Sequence, residues 1–406
     1  MIWPQLNYKL CLMNKIYYCF LLFVVLFSSC NNSEKTENVH IIDVTNPEQV
    51  ELEDIFSELE VLHMKAGVKS FVPNANYVQK CGDNYIFTDS HKDVYVFDKQ
   101  GGFISSSKSV HGKGHGEFTI RTGWCYNPYL NNIIIVTPLH LMFYDMNFKY
   151  VKSVQLPSEY PNENNNNTSL FFEHIFALSD HLWALISSSN HHCQKLHTMF
   201  IFDSEKREII DEICYDEDVI YGGVSQVFPF QTYDEDNLLF FPPQYSKYVY
   251  KFDKKEQNLQ RFTSFKYGDD FYLAEELEKF KHDTNREGFK YMSKNHKKYP
   301  IRIYYNDESY YLSVSDGPRI ANGYMYIIDS KTDKVRSLSC NKDGKIQFYD
   351  PSFVSDGIVY ATMESEFADS LIQAIPGKVT EINKYKADST VNDNIVVLKY
   401  HLKLKR

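Results

Sequence analysis

The first candidate for chemistry is a glycine-rich stretch at residues 112–117, which reads GKGHGE. Glycine loops can cradle a phosphate when their backbone N–H groups point at it from the start of a helix. This stretch lacks the Gly-Lys-Ser or Gly-Lys-Thr of a P-loop, and no helical pattern follows it. We therefore interpret Gly112, Gly114 and Gly116 as residues of a tight turn, where glycine accepts backbone angles that other residues avoid.

Histidine clusters are the second candidate, because imidazole is a common zinc ligand. His111 and His115 are four residues apart, but no predicted helix places them on one face. His191, His192 and Cys193 lie together between two predicted strands, and no further ligand is marked elsewhere. A solvated loop is the reading that we favour for this cluster, and a zinc site is the alternative. We predict no metal and no other cofactor.

No catalytic set can be assembled from the sequence. It contains no Gly-x-Ser-x-Gly elbow, the motif of many serine hydrolases. Large aromatic residues have two readings: they lie in the core between sheets, which we favour, or they line the mouth of a sugar-binding site. The residues concerned are Trp124, Tyr126, Trp183, Phe228 and Phe230.

A repeated phrase supplies the framework for these candidates. Five times, an apolar strand ends in an aromatic or aliphatic residue that is followed by Asp and a turn. The five are Asp98, Asp145, Asp203, Asp253 and Asp329. An Asp just past a strand can accept hydrogen bonds from backbone N–H groups about two residues further on. We predict this structural role for all five, and their recurrence indicates a repeat architecture.

The strand pattern around each repeat predicts an all-β fold. Residues 84–89, 93–98 and 103–107 read as three successive strands with short turns between them. The pattern recurs, with a weaker sixth copy near the end of the chain. We predict a six-bladed β-propeller of four-stranded antiparallel blades over residues 39–406. A helical spacing of apolar residues predicts a small helical insertion at about 271–298.

A propeller must also close its ring. The strands at 39–44 and 394–402 are predicted to share one blade and so hide its edges. The residues between the first strand and the repeats include an acidic stretch at 47–60, which we read as a link or a helical turn.

Composition excludes one class of partner. The chain has 406 residues, of which 16% are aromatic, and a net charge of −10. Aromatic residues favour strands, and an acidic chain without a basic cluster argues against nucleic-acid binding. The length suffices for a large core without disulfides, and we expect a monomer.

The N-terminus carries the pattern of a secretory signal. Lys15 precedes an apolar run at 16–27, which is too short to span a bilayer comfortably. A basic residue, an apolar run and then small residues are typical of a signal peptide. We predict a signal peptide over residues 1–29. Met13 heads a more ordinary signal peptide than Met1 does, so residues 1–12 are interpreted as an upstream mis-start.

The end of this segment, Ser28-Ser29-Cys30, resembles a bacterial lipobox. We predict lipid attachment at Cys30, with residues 30–38 as a polar tether. An uncleaved N-terminal anchor helix is the alternative.

Five cysteines follow Cys30, and their odd number and scattered spacing do not form a disulfide framework. We interpret them as small buried side chains, and one bridge in an oxidising compartment is the alternative. They are Cys81, Cys125, Cys193, Cys214 and Cys340.

Three of these features resemble a known family: the lipobox at Cys30, the hairpin at 93–104 and the loop at 112–118. They are similar to those of six-bladed β-propeller lipoproteins of certain Gram-negative bacteria, related in shape to the NHL and TolB-type propellers. In that family the loop reads Gly-x-Gly-Pro-Gly-Glu, followed by Phe or Tyr, and His115 stands in place of the Pro. The resemblance covers essentially all of the chain after residue 29. It implies an outer-membrane lipoprotein that faces either the periplasm or the outside. The resemblance does not indicate which activity, if any, the protein has.

The sequence therefore favours a binding or scaffold protein, anchored by lipid, that presents one loop-rich face to a protein or carbohydrate partner. The alternative is a hydrolase or lyase that acts on carbohydrate or peptide at the axial mouth of the propeller. Function is expected where the repeats disagree: at 271–298, at 187–197 and at His115.

Overall fold

Six sheets, each with four antiparallel strands, make up the blades of a β-propeller in this computed structural model, and a fifth strand joins three of these sheets. Residues 41–406 form one unit. The predicted fold class is confirmed. The structure describes residues 39–65, 72, 75, 77–89, 91–157, 159–161, 167–169, 172–187, 198–215, 230–242, 248–272, 276, 290–291, 294–295, 297–316, 323–342, 345–375, 378–384 and 395–403. Cys30 and the cluster at 191–193 lie outside the described residues.

Three short strands and a helical turn precede the first blade. They are β1 (His40–Asp43), β2 (Glu48–Gln49), α1 (Leu52–Ile55) and β3 (Phe56–His63). Blade 1 comprises β4 (Tyr77–Cys81), β5 (Asn84–Thr88), β6 (Val94–Asp98) and β7 (Phe103–Ser106). Blade 2 comprises β8 (Gly123–Asn127), β9 (Asn132–Val136), β10 (His140–Tyr144) and β11 (Tyr150–Gln155). A 3-10 turn, Ser107–Val110, follows blade 1, and a hairpin of β12 (Glu159–Pro161) and β13 (Asn167–Ser169) follows blade 2.

The next three blades repeat the same order. Blade 3 comprises β14 (Phe172–Ala177), β15 (Leu182–Ser187), β16 (Thr198–Asp203) and β17 (Glu208–Cys214). Blade 4 comprises β18 (Phe230–Thr232), β19 (Asn237–Phe240), β20 (Tyr248–Asp253) and β21 (Asn258–Lys266). Blade 5 comprises β22 (Lys298–Asn306), β23 (Ser309–Asp316), β24 (Gly323–Asp329) and β25 (Val335–Ser339), and a hairpin of β26 (Asn341–Lys342) and β27 (Lys345–Ile346) follows it.

Blade 6 is built from both ends of the described chain. Its elements are β28 (Phe353–Ser355), β29 (Ile358–Glu364), α2 (Ser365–Ala374), β30 (Val379–Ile382) and β31 (Ile395–Leu402), and β3 lies between β31 and β30. Of the predicted insertion at 271–298, the described residues Glu276, Lys290, Tyr291, Lys294 and Asn295 are helical. No helix among the described residues is long and apolar enough to cross a membrane.

The predicted ring closure was half wrong. The C-terminal strand β31 does close the ring, but its N-terminal partner is β3, with Val61 opposite Leu398. The strand β1 instead lies beside β21 in blade 4. The strand β3 was not recognised in the acidic stretch at 47–60 because Glu58 and Glu60 alternate with its buried residues. In the structure, the carboxylate of Glu58 pairs with Lys378 and that of Glu60 with Lys399.

Aromatic side chains fill the spaces between blades. Each pair of neighbouring blades encloses one buried apolar cluster, so six clusters of described residues follow the ring. Between blades 2 and 3, Trp183 is fully buried and packs edge-on against Phe143 with ring centroids 5.6 Å apart. Removing one such side chain from water stabilises the fold by about 4–6 kcal/mol. Trp183 and Phe230 are therefore core residues, and Phe228 lies outside the described residues.

The two ends of the blades differ in the length of their links. At one end, the turn face, the first and second strands and the third and fourth strands of a blade are joined by two to five residues. The other end, the loop face, carries the links between second and third strands and those between blades. There the links include 107–122, 188–197, 267–297 and 365–394. The loop face therefore holds most of the sequence that the strand framework does not use.

Candidate functional site

The repeated aspartates lie on the turn face, where each accepts backbone hydrogen bonds. Oδ1 of Asp98 accepts from the N–H groups of Gln100 and Gly102, both at 2.8 Å. Oδ1 of Asp145 accepts likewise from the N–H groups two and four residues on, at 2.8 and 2.9 Å. The other three aspartates accept from the N–H groups two and three residues on, between 2.8 and 3.1 Å: Asp203, Asp253 and Asp329. These carboxylates are engaged within their own turns, which supports a structural role.

Each of these turns also contains one residue with a positive φ angle. Gly101 has φ of 77° in the first, and non-glycine residues take that position in the others: Phe148, Arg207, Gln257 and Asp333. The left-handed conformation is unfavourable for such residues, so the Asp hydrogen bonds must offset its strain. At Asp253, the backbone donors of Glu256 and Lys255 hold the pKa of the carboxyl below its usual value.

The glycine-rich stretch folds around the side chain of its own Glu117. Gly114 N–H donates to Glu117 Oε2 at 2.8 Å, and a Cβ atom on Gly112 would lie only 1.9 Å from that oxygen. The carboxylate therefore occupies the space that an anion would need. This geometry argues against a phosphate site, because the loop already carries its own negative group.

The other side of the loop rests on blade 2. Gly116 has φ of 75°, and a Cβ atom there would lie 2.6 Å from Cγ of Tyr150. The hydroxyl of Tyr144 donates to the Gly116 carbonyl at 2.9 Å. The ring of His115 packs edge-on against Tyr150, with centroids 4.9 Å apart. Close contact with β10 and β11 thus fixes the loop.

A buried polar network holds the start of the loop to blade 1. Asp89 is 1% exposed, and its carboxylate accepts from the Tyr95 hydroxyl at 2.9 Å and from Asp93 N–H at 2.7 Å. Asp93 Oδ1 in turn lies 3.1 Å from Nε2 of His111. Burial lowers the pKa of Arg121 to about 10, although Asp93 and Asp89 oppose the shift. The contact between Asp93 and His111 holds the start of the 107–122 link to blade 1.

A groove of about 520 Å³ lies between this loop and blade 2. Its walls come from the glycine loop, from the turn between β9 and β10, and from β10 and β11. The lining residues are Gly112, Lys113, Gly114, His115, Gly116, Glu117, Phe118, Thr119, Ile120, Thr137, Pro138, Leu139, His140, Met142, Tyr150 and Ser153. The volume falls within the range of small-ligand and peptide pockets.

The groove combines exposed aliphatic side chains with one lysine and two imidazoles. Ile120 is 63% exposed and Leu139 is 50% exposed, although both are large apolar residues. Lys113, His115 and His140 lie in the same lining. The single carboxylate there, that of Glu117, is bonded to Gly114. The arrangement favours binding of an apolar group within reach of polar side chains.

The cysteines and candidate metal ligands provide no second site among the described residues. Cys81, Cys125, Cys214 and Cys340 are free thiols, and Cys193 lies outside the described part of the chain. Burial raises the pKa of Cys81, Cys125 and Cys340, which keeps these thiols protonated and unreactive. Within the described ranges, no group of three His, Cys, Asp or Glu residues could hold a metal ion.

Most residues of the groove were not anticipated from the sequence. His115 was singled out because it departs from a repeated motif, and the structure places it in the groove lining. Ile120, Leu139 and His140 carry no local signal, since they read as ordinary members of short links. Exposed aliphatic residues beside a proline turn, as in Thr137-Pro138-Leu139, are the one pattern that could have drawn attention to them.

Comparisons with known proteins support the fold. Residues 36–401 match the model of a family described as a domain of unknown function, DUF4934. A solved structure described as an exported protein of Bacteroides fragilis is similar at 16% identity and a TM-score of 0.64, over 90% of this chain and 100% of that one. A member of the DUF4221 family from Bacteroides vulgatus is similar at 11% identity and a TM-score of 0.52, over 86% of this chain and 97% of that one. No curated protein matches the sequence.

Proposed function

Because this chain belongs to the DUF4934 family and folds as a six-bladed propeller, we propose that it is a non-enzymatic binding protein of the cell envelope. The observation that carries the proposal is the groove on the loop face, where Ile120 and Leu139 are exposed beside Lys113, His115 and His140. Scattered apolar residues on a surface need no explanation, but a concave group of them with convergent polar side chains marks a binding site.

The turn face supports this assignment by contrast. Its links are short, and the carboxylates of its repeated aspartates are occupied by backbone donors. Polar groups that are already satisfied offer little to a ligand. The loop face is thus the surface on which this propeller presents a partner site.

The membrane anchor is part of the proposal. The basic residue, apolar run and small residues that end at Cys30 form the signal, and lipid on Cys30 holds the propeller at the outer membrane. The structural neighbour described as an exported protein supports the same compartment. Metabolic labelling with a fatty-acid analogue tests it: the label should be incorporated and should be lost in Cys30→Ala. Labelling that survives this substitution would refute attachment at Cys30.

Site-specific photo-cross-linking in the native membrane tests the binding role. A photoreactive residue replaces Leu139 in the groove, and the control replaces Ile210, an exposed aliphatic residue on β17 of blade 3. The proposal expects a discrete cross-linked product from position 139 and none from position 210. Equal products from both positions would overturn the assignment of the loop face. Chemical conversion of the captured ligand by the purified protein would overturn the non-enzymatic role.

A further inference from the structure

The outer edges of the six blades differ in whether a further strand covers them. In blades 4, 5 and 6, a strand from another part of the sequence covers the outermost strand: β1 lies beside β21, β2 beside β25, and β30 beside β3. Blades 1, 2 and 3 have four strands each, and within the described residues no strand pairs with the outer edges of β7, β11 and β17. The fold therefore already uses strand addition at three of its six blades.

Among the uncovered edges, β11 alone borders the groove. Tyr150 and Ser153 of β11 belong to the groove lining, whereas no residue of β7 or β17 does. Val151, next to Tyr150, is 52% exposed at a bulge in this strand. An unpaired strand edge offers a row of N–H and C=O groups to an extended chain.

The chemistry of the groove indicates the side chains that such a segment would carry. Ile120 and Leu139 offer an exposed aliphatic surface, which suits an aliphatic side chain. Lys113 in the groove, Lys152 in β11 and Lys149 just before β11 are exposed, and among the described residues none of the three forms an ion pair. Against the one carboxylate of the lining, that of Glu117, these lysines give the edge a net positive charge on a chain whose net charge is −10. Charge complementarity of this kind selects an acidic partner.

We infer that an extended peptide segment of a partner protein, acidic and aliphatic in composition, adds to the free edge of β11 and places side chains in this groove. The inference rests on the proposed binding function and names its ligand class. Backbone pairing supplies affinity that is independent of sequence, and the groove supplies the preference for acidic and aliphatic side chains. A carbohydrate would use the groove but would gain nothing from the strand edge.

The probe is a fluorescent peptide of six residues, the same length as β11. In its sequence, pairs of Asp residues alternate with pairs of Ile residues. Binding to the purified protein is followed by fluorescence polarisation. We expect Lys113→Glu to weaken binding by about fivefold, the size of one exposed ion pair. Leu139→Asp should weaken it by about tenfold, because half of a leucine surface is lost. The matched controls, Lys345→Glu on β27 and Ile210→Asp on β17, should leave it unchanged.

Changes in the probe separate the two parts of the inference. The same peptide with alternate backbone amides methylated cannot pair with a strand edge, and its binding should fall by more than about tenfold. Undiminished binding of the methylated peptide would overturn strand addition. Equal binding of a peptide with Lys in place of Asp would overturn the acidic preference.

A carbohydrate competitor completes the test. An oligogalacturonate that binds while the acidic peptide does not would overturn the peptide assignment, yet the groove would remain a binding site. Cross-linking from position 139 with no binding of any acidic peptide would have the same meaning. Failure of the inference can thus be told apart from failure of the proposed function.

Discussion

Replacing Gly116 by alanine should expose how tightly the glycine loop is held against blade 2. The backbone at Gly116 has φ of 75°, and the new Cβ atom would lie 2.6 Å from Cγ and 2.8 Å from Cβ of Tyr150. The left-handed conformation alone costs an alanine about 1–2 kcal/mol. Forcing a methyl group into a packed contact adds about 1–3 kcal/mol. We therefore expect the free energy of unfolding to fall by about 2–5 kcal/mol.

Gly357 provides the matched control for this substitution. Its φ of 70° is nearly the same, but nothing lies within 4 Å of a Cβ atom built there. Gly357→Ala should therefore cost about 1–2 kcal/mol, from backbone strain alone. Urea unfolding followed by tryptophan fluorescence and by circular dichroism measures both variants, and coincident transitions justify the comparison.

A double substitution isolates the contact itself. Tyr150→Gly removes the three atoms nearest to the new Cβ, namely Cβ, Cγ and Cδ2 of Tyr150, so the additional cost of Gly116→Ala should fall to that of Gly357→Ala. The difference between the two backgrounds is the interaction energy of the pair, which we expect to be about 1–3 kcal/mol. If Gly116→Ala costs the same with and without Tyr150, the loop is not held by this contact and the reasoning is refuted.

Three further predictions concern the loop, the turns and the ring closure. Gly112→Ala should displace the Glu117 carboxylate and cost about 1–2 kcal/mol of unfolding free energy, and Glu117→Ala should add little to it, since both remove the bond to Gly114. The folded-state pKa of Asp253 is lowered, so its contribution is present above its unfolded pKa near 3.8 and is lost as the pH falls toward the folded value; urea titrations below about pH 4 should show a smaller loss of stability in Asp253→Asn than in the unaltered protein. Val61→Asp in the closing strand should destabilise by more than about 3 kcal/mol in thermal or urea unfolding, whereas Ile41→Asp on the exposed face of β1 should change stability by less than about 0.5 kcal/mol.

The repeat architecture could be predicted because its signals are local. A strand such as β16, with the sequence TMFIFD, is apolar throughout, and the Asp that follows it marks the turn within a few residues. The same reasoning could not find the left-handed residues of those turns. Phe148, Arg207 and Gln257 have positive φ angles. Their residue types do not predict this conformation. Their conformation follows from the turn that the Asp imposes.

Ring closure could not be predicted because it depends on pairing across the whole chain. β3 and β31 are more than 300 residues apart, and Glu58 and Glu60 give β3 an acidic appearance. Only the structure shows that Lys399 reaches Glu60 and that Lys378 lies 3.1 Å from Glu58. An outer strand of a blade tolerates such charges on its exposed side, so composition alone misjudges it.

The groove could not be predicted from the sequence for a third reason. Its parts come from the link between blades 1 and 2 and from a three-residue turn within blade 2, and neither part is concave by itself. The sequence predicts a turn at Gly112, Gly114 and Gly116, but the side chain that packs against Gly116 is that of Tyr150, which no local pattern could reveal. A site assembled between repeats therefore leaves its trace where one repeat departs from the others, as at His115.

The blade edges differ because, among the described residues, a fifth strand is added to only three of the six blades. A four-stranded blade leaves an unpaired edge, which is a hazard for aggregation unless it is covered, charged or used. This chain covers three edges with β1, β2 and β30. On β17 the exposed side carries Glu208, Asp211 and Glu212, charges that discourage unwanted pairing. β11 has no acidic residue; it carries Lys152, with Lys149 just before it, and it presents Val151 to solvent. Lysine on a strand edge discourages unspecific pairing, and the same positive charge favours an acidic segment. The edge of β11 therefore combines protection with the selectivity that a binding edge requires.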